Sequence, residues 1–145
     1  MLADRRGVAA MELALIFPVL VVMAFGVIDY SSGVLAQMQV QNAAQRGLQY
    51  ALTRGFDTSV ISTVISYNNS PAGISATPAP SQFCGCPDSQ GKGISSAACS
   101  TVCADGSTAG TYVSVSAAAT YVPYVALPFV PASFSLQSTA IARIQ

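Results

Sequence analysis

Apolar residues fill the first part of the chain almost without interruption. Positions 13–28 carry no charge, and from 8 to 28 the single charged residue is Glu12. Those 21 positions match the roughly 20 that an α-helix needs to cross a bilayer. The pattern then turns from continuous to periodic. Between 29 and 54 there is no Pro, the helix formers Gln, Ala, Leu and Met abound, and Val40, Ala44, Leu48 and Leu52 recur every fourth residue, which predicts an apolar stripe along a helix. Gln37, Gln39, Gln41, Asn42, Gln45 and Gln49 supply neutral polar positions around it. Arg54 followed by Gly55 reads as a last turn and its stop. A helix over 8–54 is about 70 Å long, more than a bilayer spans, so its second half is expected to be an amphipathic stem whose stripe packs on the chain's own outer domain, with a surface for a partner alone as the alternative. Pro18 and Gly26 permit a bend in the membrane half.

Beyond Gly55 the elements shorten. Asp57 reads as the N-cap of a short helix reaching Tyr67, with Val60, Ile61, Val64 and Ile65 on one side. Its β-branched content keeps a strand open as the alternative. Asn68-Asn69-Ser70-Pro71 ends it. Residues 71–110 are rich in Pro, Gly and Ser and hold too little hydrophobic volume to pack alone. The period then becomes two. Val113, Val115, Ala117, Ala119 and Tyr121 alternate with Ser114, Ser116, Ala118 and Thr120. Phe134, Leu136, Ala140, Ala142 and Ile144 alternate likewise, with Ser138 as the exception. Both predict strands of a half-buried antiparallel sheet, and a third is expected around Gln82–Cys86. Pro123, Pro128 and Pro131 make 122–132 an extended loop, with Tyr121, Tyr124 and Phe129 as candidate exposed aromatics that either form a contact surface or, the commoner outcome, fold back as core. The expected fold class is α+β: a long N-terminal transmembrane and stem helix packed on a small antiparallel sheet with a disulfide-stapled loop. The expected divisions are a leader at 1–7, a membrane helix at 8–28, a stem at 29–55 and a small outer domain at 56–145.

Composition narrows the function. The 145 residues are 52% hydrophobic and 8% charged, about a third of the usual charged share. Six basic and six acidic residues cancel, which leaves no basic field for nucleic acid. The chain has no His, so Ser-His-Asp triads, Cys-His dyads and imidazole metal sites are excluded. Asp57, Asp88 and Asp105 are scattered, the last two in turn-like contexts, and a Ser hydrolase would lack a base. A non-enzymatic protein with no cofactor is expected. Arg5 and Arg6 ahead of the apolar run place the N-terminus in the cytoplasm and the rest outside. A cleaved secretory signal fits less well: Val34-Leu35-Ala36 resembles a cleavage site, but the run is too long and Asp29 intervenes. Two arginines alone do not make a twin-arginine signal.

A plain anchor accounts for the length of the run and gives no reason for Glu12. A carboxylate in hydrocarbon costs at least ~2.5 kcal/mol and needs a partner. Cleavage of the Gly7–Val8 bond would supply one, because Val8 and Glu12 stand at i and i+4 on one helix face. The new α-ammonium and the carboxylate would neutralise each other, within one subunit or between neighbours. The plainer alternative is a carboxylate snorkelling at the cytoplasmic interface.

Cys84, Cys86, Cys99 and Cys103 fall within twenty residues of the segment least able to pack. An even number of Cys in an exported segment points to disulfides. Three connectivities exist. A Cys84–Cys86 bridge would close a strained ring, so pairing across to Cys99 and Cys103 is favoured. A four-thiolate zinc site is the competing reading, against which stand the spacing and an oxidising compartment. No CxxC motif suggests redox catalysis.

Arg6-Gly7, a four-residue spacer, Glu12 and an apolar helix together resemble the processing pattern of type IV prepilin-like proteins. The longer run RRGVAAMELALIFPVLVVMAFGVIDYSSGVLAQMQVQNAAQRGLQYAL, residues 5–52, resembles the TadE-like family of tight-adherence (Tad/Flp) pilus systems. Gly7, Ala10, Glu12, Ala14, Pro18, Gly26, Asn42-Ala43-Ala44, Arg46-Gly47 and Tyr50-Ala51 carry the likeness. Leu13 stands where the family commonly has Phe, and the tail YVSVSAAATYVPYVALPF is also similar. The resemblance implies a bacterial pseudopilin or minor pilin for adherence, matured by a prepilin peptidase at Gly7 and Val8. It also implies that Glu12 acts in assembly and that the partners are inner-membrane lipid, other pilin subunits and the Tad/Flp machinery. The implied location is the inner membrane, single-pass, with a periplasmic C-terminal domain, or an extracellular pilus. The alternative is a membrane-anchored assembly factor or secretion component that never polymerises.

Overall fold

The computed structural model describes residues 6–66, 73–88, 93–125 and 130–144, with side chains from residue 10 onward. Outside the described residues lie positions 1–5 of the leader, the end of the second helix at Tyr67, the break at 68–71, and Pro128 and Phe129 of the apolar loop.

One helix, α1 (Arg6–Arg54), takes up 49 residues, about 73 Å. It begins two residues ahead of Val8 and runs unbroken through Pro18. Its end follows from the sequence: Gly55 adopts φ +95°, and its N–H donates to the Ala51 carbonyl at 3.2 Å, a left-handed cap that glycine enters without penalty. Asp57 caps the next helix, α2 (Thr58–Ser66). Its Oδ1 accepts the N–H groups of Ser59 at 2.9 Å and Val60 at 3.2 Å, two donors that the first turn leaves without a helical partner. The β-branched run is therefore helix and not strand, with Ile61 and Ile65 buried and Val60 and Val64 half-buried.

Among the described residues four antiparallel strands follow: β1 (Ser81–Pro87), β2 (Ile94–Ser96), β3 (Gly110–Tyr121) and β4 (Phe134–Arg143), ordered β2-β1-β3-β4. β3 and β4 form the long ladder, from Tyr112 opposite Arg143 to Tyr121 opposite Phe134. β1 pairs with the first half of β3, from Ser81 opposite Ser114 to Gly85 opposite Gly110. Beyond it Ser75 exchanges two 2.8 Å main-chain bonds with Ala118. The short β2 was not anticipated: Ile94-Ser95-Ser96 has no alternation to announce it.

The core lies where α1 and α2 meet the inner face of β3. Val40, Ala43, Ala44 and Ala51 face Ile61, Ile65, Val113, Val115, Ala117 and Ala119, with Leu136 and Ala140 of β4 and Ile144 just beyond it half-buried at the margin. The expected α+β arrangement and the packing of the stem on its own domain are both present. The stripe needs one correction. Leu52 is 48% exposed, because a strict four-residue step advances 400° and drifts about 40° per repeat around a helix of 3.6 residues per turn. The helix instead buries Ala36, Val40, Ala43, Ala44, Gly47 and Ala51. Gly47 is the point of closest approach: a Cβ there would lie 2.9 Å from Val115 Cγ1 and 3.0 Å from Ile65 Cγ1.

Candidate assembly site along the N-terminal helix

From residue 10 to residue 28 every side chain of α1 is exposed except that of Val21, which is partly covered. Met11, Leu13, Ile16, Phe17, Leu20 and Met23 are each more than half exposed. Of the helices among the described residues, α1 alone is long and apolar enough to cross a membrane. Glu12 stands on this apolar surface, and the next charge toward the C-terminus is Asp29, seventeen residues and about 25 Å further along. Gly7 and Val8 belong to the first turn of α1, and the Val8 side chain lies outside the described residues. In the uncut chain the Val8 nitrogen is a peptide amide and carries no charge to offer Glu12.

Asp29 holds the sheet to the helix at the C-terminal end of this apolar stretch. Its Oδ1 accepts the Tyr124 N–H at 2.8 Å and its Oδ2 the Val125 N–H at 3.1 Å. The Tyr121 hydroxyl donates to the Asp29 main-chain carbonyl at 3.0 Å. Burial raises the Tyr121 phenol above its ordinary value, and the Asp29 charge adds to that. Two turns on, Gln37 Nε2 donates to the Gln137 carbonyl at 3.2 Å. In the sequence Asp29 marks only the end of the apolar run, and the single hint of more is that an acid, not a base, stands there. The aromatic expectation divides: Tyr124 is 77% exposed, whereas Tyr121 is half-buried with its hydroxyl engaged.

The cysteines lie at the opposite end of the sheet. Cys84 pairs with Cys99 and Cys86 with Cys103, with Cα separations of 5.0 and 5.5 Å. All four sulfurs are consumed, which leaves no thiolate for the zinc alternative. Strand alternation puts Cys84 and Cys86 on one face of β1. Gly85, facing the other way, is crossed so closely by β2 that a Cβ would meet Ile94 Cγ2 at 2.6 Å and the Ser95 carbonyl at 2.8 Å. The Cys103–Gly106 turn is closed by a 2.9 Å main-chain bond. The Ser107 hydroxyl and N–H bond Asp105 and hold its carboxyl below the usual range.

Residues 7–49 match the model of the TadE-like protein family. The chain carries a TadE-like segment. It covers the exposed apolar helix, Glu12, the Asp29 junction and the stem as far as Gln49, and it links the chain to Tad pilus systems. The segment stops short of the sheet, so the similarity noted in the C-terminal tail has no support from it. No curated protein and no solved structure matches the chain.

Proposed function

We propose that the chain is a pseudopilin or minor pilin that takes part in building a Tad/Flp-type pilus. The observation that carries this reading is the coincidence of the TadE-like segment with a helix whose apolar surface is exposed from residue 10 to residue 28 and bears one carboxylate. A dedicated peptidase cuts between Gly7 and Val8 at the cytoplasmic face. Residues 1–7 leave as the leader, 8–28 remain in the inner membrane, 29–55 form the stem, and 56–145 fold in the periplasm. The α-ammonium released at Val8 lies one helical turn from Glu12, so each charge has a partner in a medium that tolerates neither alone. The chemistry is recognition and packing, which agrees with a family of structural and assembly proteins.

The mature N-terminus tests the proposal. Mass spectrometry of the protein from a pilus-competent host should find Val8 first, and Gly7→Val should leave the longer precursor. An N-terminus that always lies upstream of Val8 would favour an uncut, membrane-anchored assembly factor that does not polymerise.

A further inference from the structure

We propose a second membrane contact in this protein: residues 122–125, which follow β3 and are led by Val122 and Tyr124, seat among the lipids of the leaflet that faces the outer domain. The inference rests on the reading that α1 spans the bilayer. β3 runs antiparallel to α1, since Val115 lies beside Gly47 and Tyr121 beside Gly33. The strand therefore descends along the stem toward the membrane and ends at Asp29, the residue after the apolar run. Residues 8–28 measure about 32 Å as a helix, against a hydrocarbon core of about 30 Å. Asp29 accordingly marks the boundary between hydrocarbon and headgroups, and its bonds to Tyr121, Tyr124 and Val125 keep residues 121–125 at that height.

What is held there suits lipid and not water. No residue between 106 and 142 is charged. Tyr124 and Tyr30 are each 77% exposed, Val122 63% and Val34 43%, and Tyr is enriched where a bilayer meets water. Beside them an apolar groove of about 530 Å³ opens between α1 and the ends of β3 and β4. Its walls include Gly26, Val34, Val125, Val130, Phe134 and Leu136. It reaches from Gly26, inside the apolar run, past Asp29, so an acyl chain can enter sideways from the bilayer. Three polar side chains at this level are engaged within the chain: the Asp29 carboxylate accepts two N–H groups, and the Ser31 and Ser32 hydroxyls both donate to the Ile28 carbonyl at 2.9 Å. The surface presents hydrocarbon, satisfied dipoles and phenols, which is the chemistry of an interfacial anchor. The outer domain therefore stands on the membrane at two points, the helix and residues 122–125, with a fixed tilt.

The chain contains no Trp, so one introduced indole reports one place. Three full-length variants, Tyr124→Trp, Phe17→Trp and Val102→Trp, are reconstituted in phosphatidylcholine vesicles carrying lipids brominated at shallow or at deep acyl carbons. Val102 is 65% exposed and precedes the far end of β3, about 36 Å above Tyr121. The Tyr124→Trp protein should lose most of its fluorescence to shallow bromines, the Phe17→Trp protein most of its to deep ones, and the Val102→Trp protein none. Quenching of Phe17→Trp with none of Tyr124→Trp would overturn the second contact and leave the spanning helix standing. Absence of quenching at Phe17→Trp would instead overturn the spanning reading beneath it. A Tyr124→Trp emission that is blue-shifted, insensitive to bromine and red-shifted on dilution would assign the surface to a second copy of the chain and overturn the lipid proposal.

Discussion

The Tyr121 hydroxyl donates to the main-chain carbonyl of Asp29 at 3.0 Å across 92 residues of sequence, and the Asp29 side chain answers by accepting the N–H groups of Tyr124 and Val125. The helix and residues 121–125 are tied from both sides of one residue. Hydrogen bonds to charged groups contribute about 1.5–3 kcal/mol. Asp29→Ala should lower the local opening free energy at Tyr124 and Val125 by about 2 kcal/mol, or roughly 30-fold faster amide exchange. Hydrogen exchange of the full chain in detergent checks this, and protection in the core strand around Val115 should be unchanged. Equal exchange in both proteins would show that these residues are held by their packing alone.

Asp57 makes a pH prediction. The Ser59 hydroxyl, with the N–H groups of Val60 and Ser59, favours the ionised carboxylate and lowers its pKa. The unfolded chain then binds the proton more readily than the folded one. The cap's contribution is full above the ordinary carboxylate pKa of about 4 and is lost as pH falls through the depressed folded value. Asp57→Asn keeps an acceptor at Oδ1 and should match the parent near neutral pH while losing less stability on acidification. Asp57→Ala should be less stable at neutral pH and converge with the parent in acid. Thermal melts at stepped pH read both.

At Gly47 two effects oppose each other. Glycine inside a helix costs about 1 kcal/mol relative to alanine, so replacement ought to help. The space is occupied, however, by Val115 Cγ1 at 2.9 Å and Ile65 Cγ1 at 3.0 Å from the new Cβ, and both side chains are fully buried. Gly47→Val should therefore destabilise by about 1–3 kcal/mol through overpacking, and Gly47→Ala should gain nothing despite its propensity. Urea midpoints of the two variants decide which effect wins.

The disulfide connectivity predicts a thiol count. Removing a bonded pair, Cys84→Ser with Cys99→Ser, should leave no free thiol, since Cys86 and Cys103 remain joined. Removing a crossed pair, Cys84→Ser with Cys103→Ser, should expose two. Sequence separations of 15 and 17 give each bridge about 3 kcal/mol in the chain-entropy account. The first double variant should fold with a lower midpoint.

The caps at Gly55 and Asp57 were legible because each is decided by a few consecutive residues. The alternation of Val113, Val115, Ala117 and Ala119 was legible because a strand's period is two. Leu52 was misplaced because a step of four only approximates the helical turn. β2 escaped because nothing in Ile94-Ser95-Ser96 encodes it; its place follows from the bare Gly85 beside it and from the nearby disulfides. The Asp29 junction escaped because its partners come 92 to 96 residues later, and no local pattern carries that distance. Gly47 stands out in the sequence only through the Arg46-Gly47 likeness, and the close approach of Val115 and Ile65 gives it a physical reason.

Glu12 allows the sharpest separation of anchoring from assembly. An intramembrane carboxylate opposes insertion by at least ~2.5 kcal/mol, so Glu12→Ala should enter the membrane more easily and be retained there in full. If the α-ammonium of Val8 depends on this carboxylate, the loss falls on incorporation, because an unpaired ammonium remains in low dielectric. Glu12→Gln isolates the cause. It keeps the side chain's size and its capacity to accept a hydrogen bond but carries no charge, so it should fail with Glu12→Ala if neutralisation matters and succeed if polar contact is enough. The measurement pairs pilus counts by electron microscopy with the amount of protein in the membrane fraction, for both variants beside the parent. Normal piliation with both would remove the charge-pairing role and leave Glu12 as a tolerated residue at the cytoplasmic interface. Loss of membrane retention with Glu12→Ala would count against the proposal from the other side, since removing a charge cannot weaken the hold of hydrocarbon on an apolar helix.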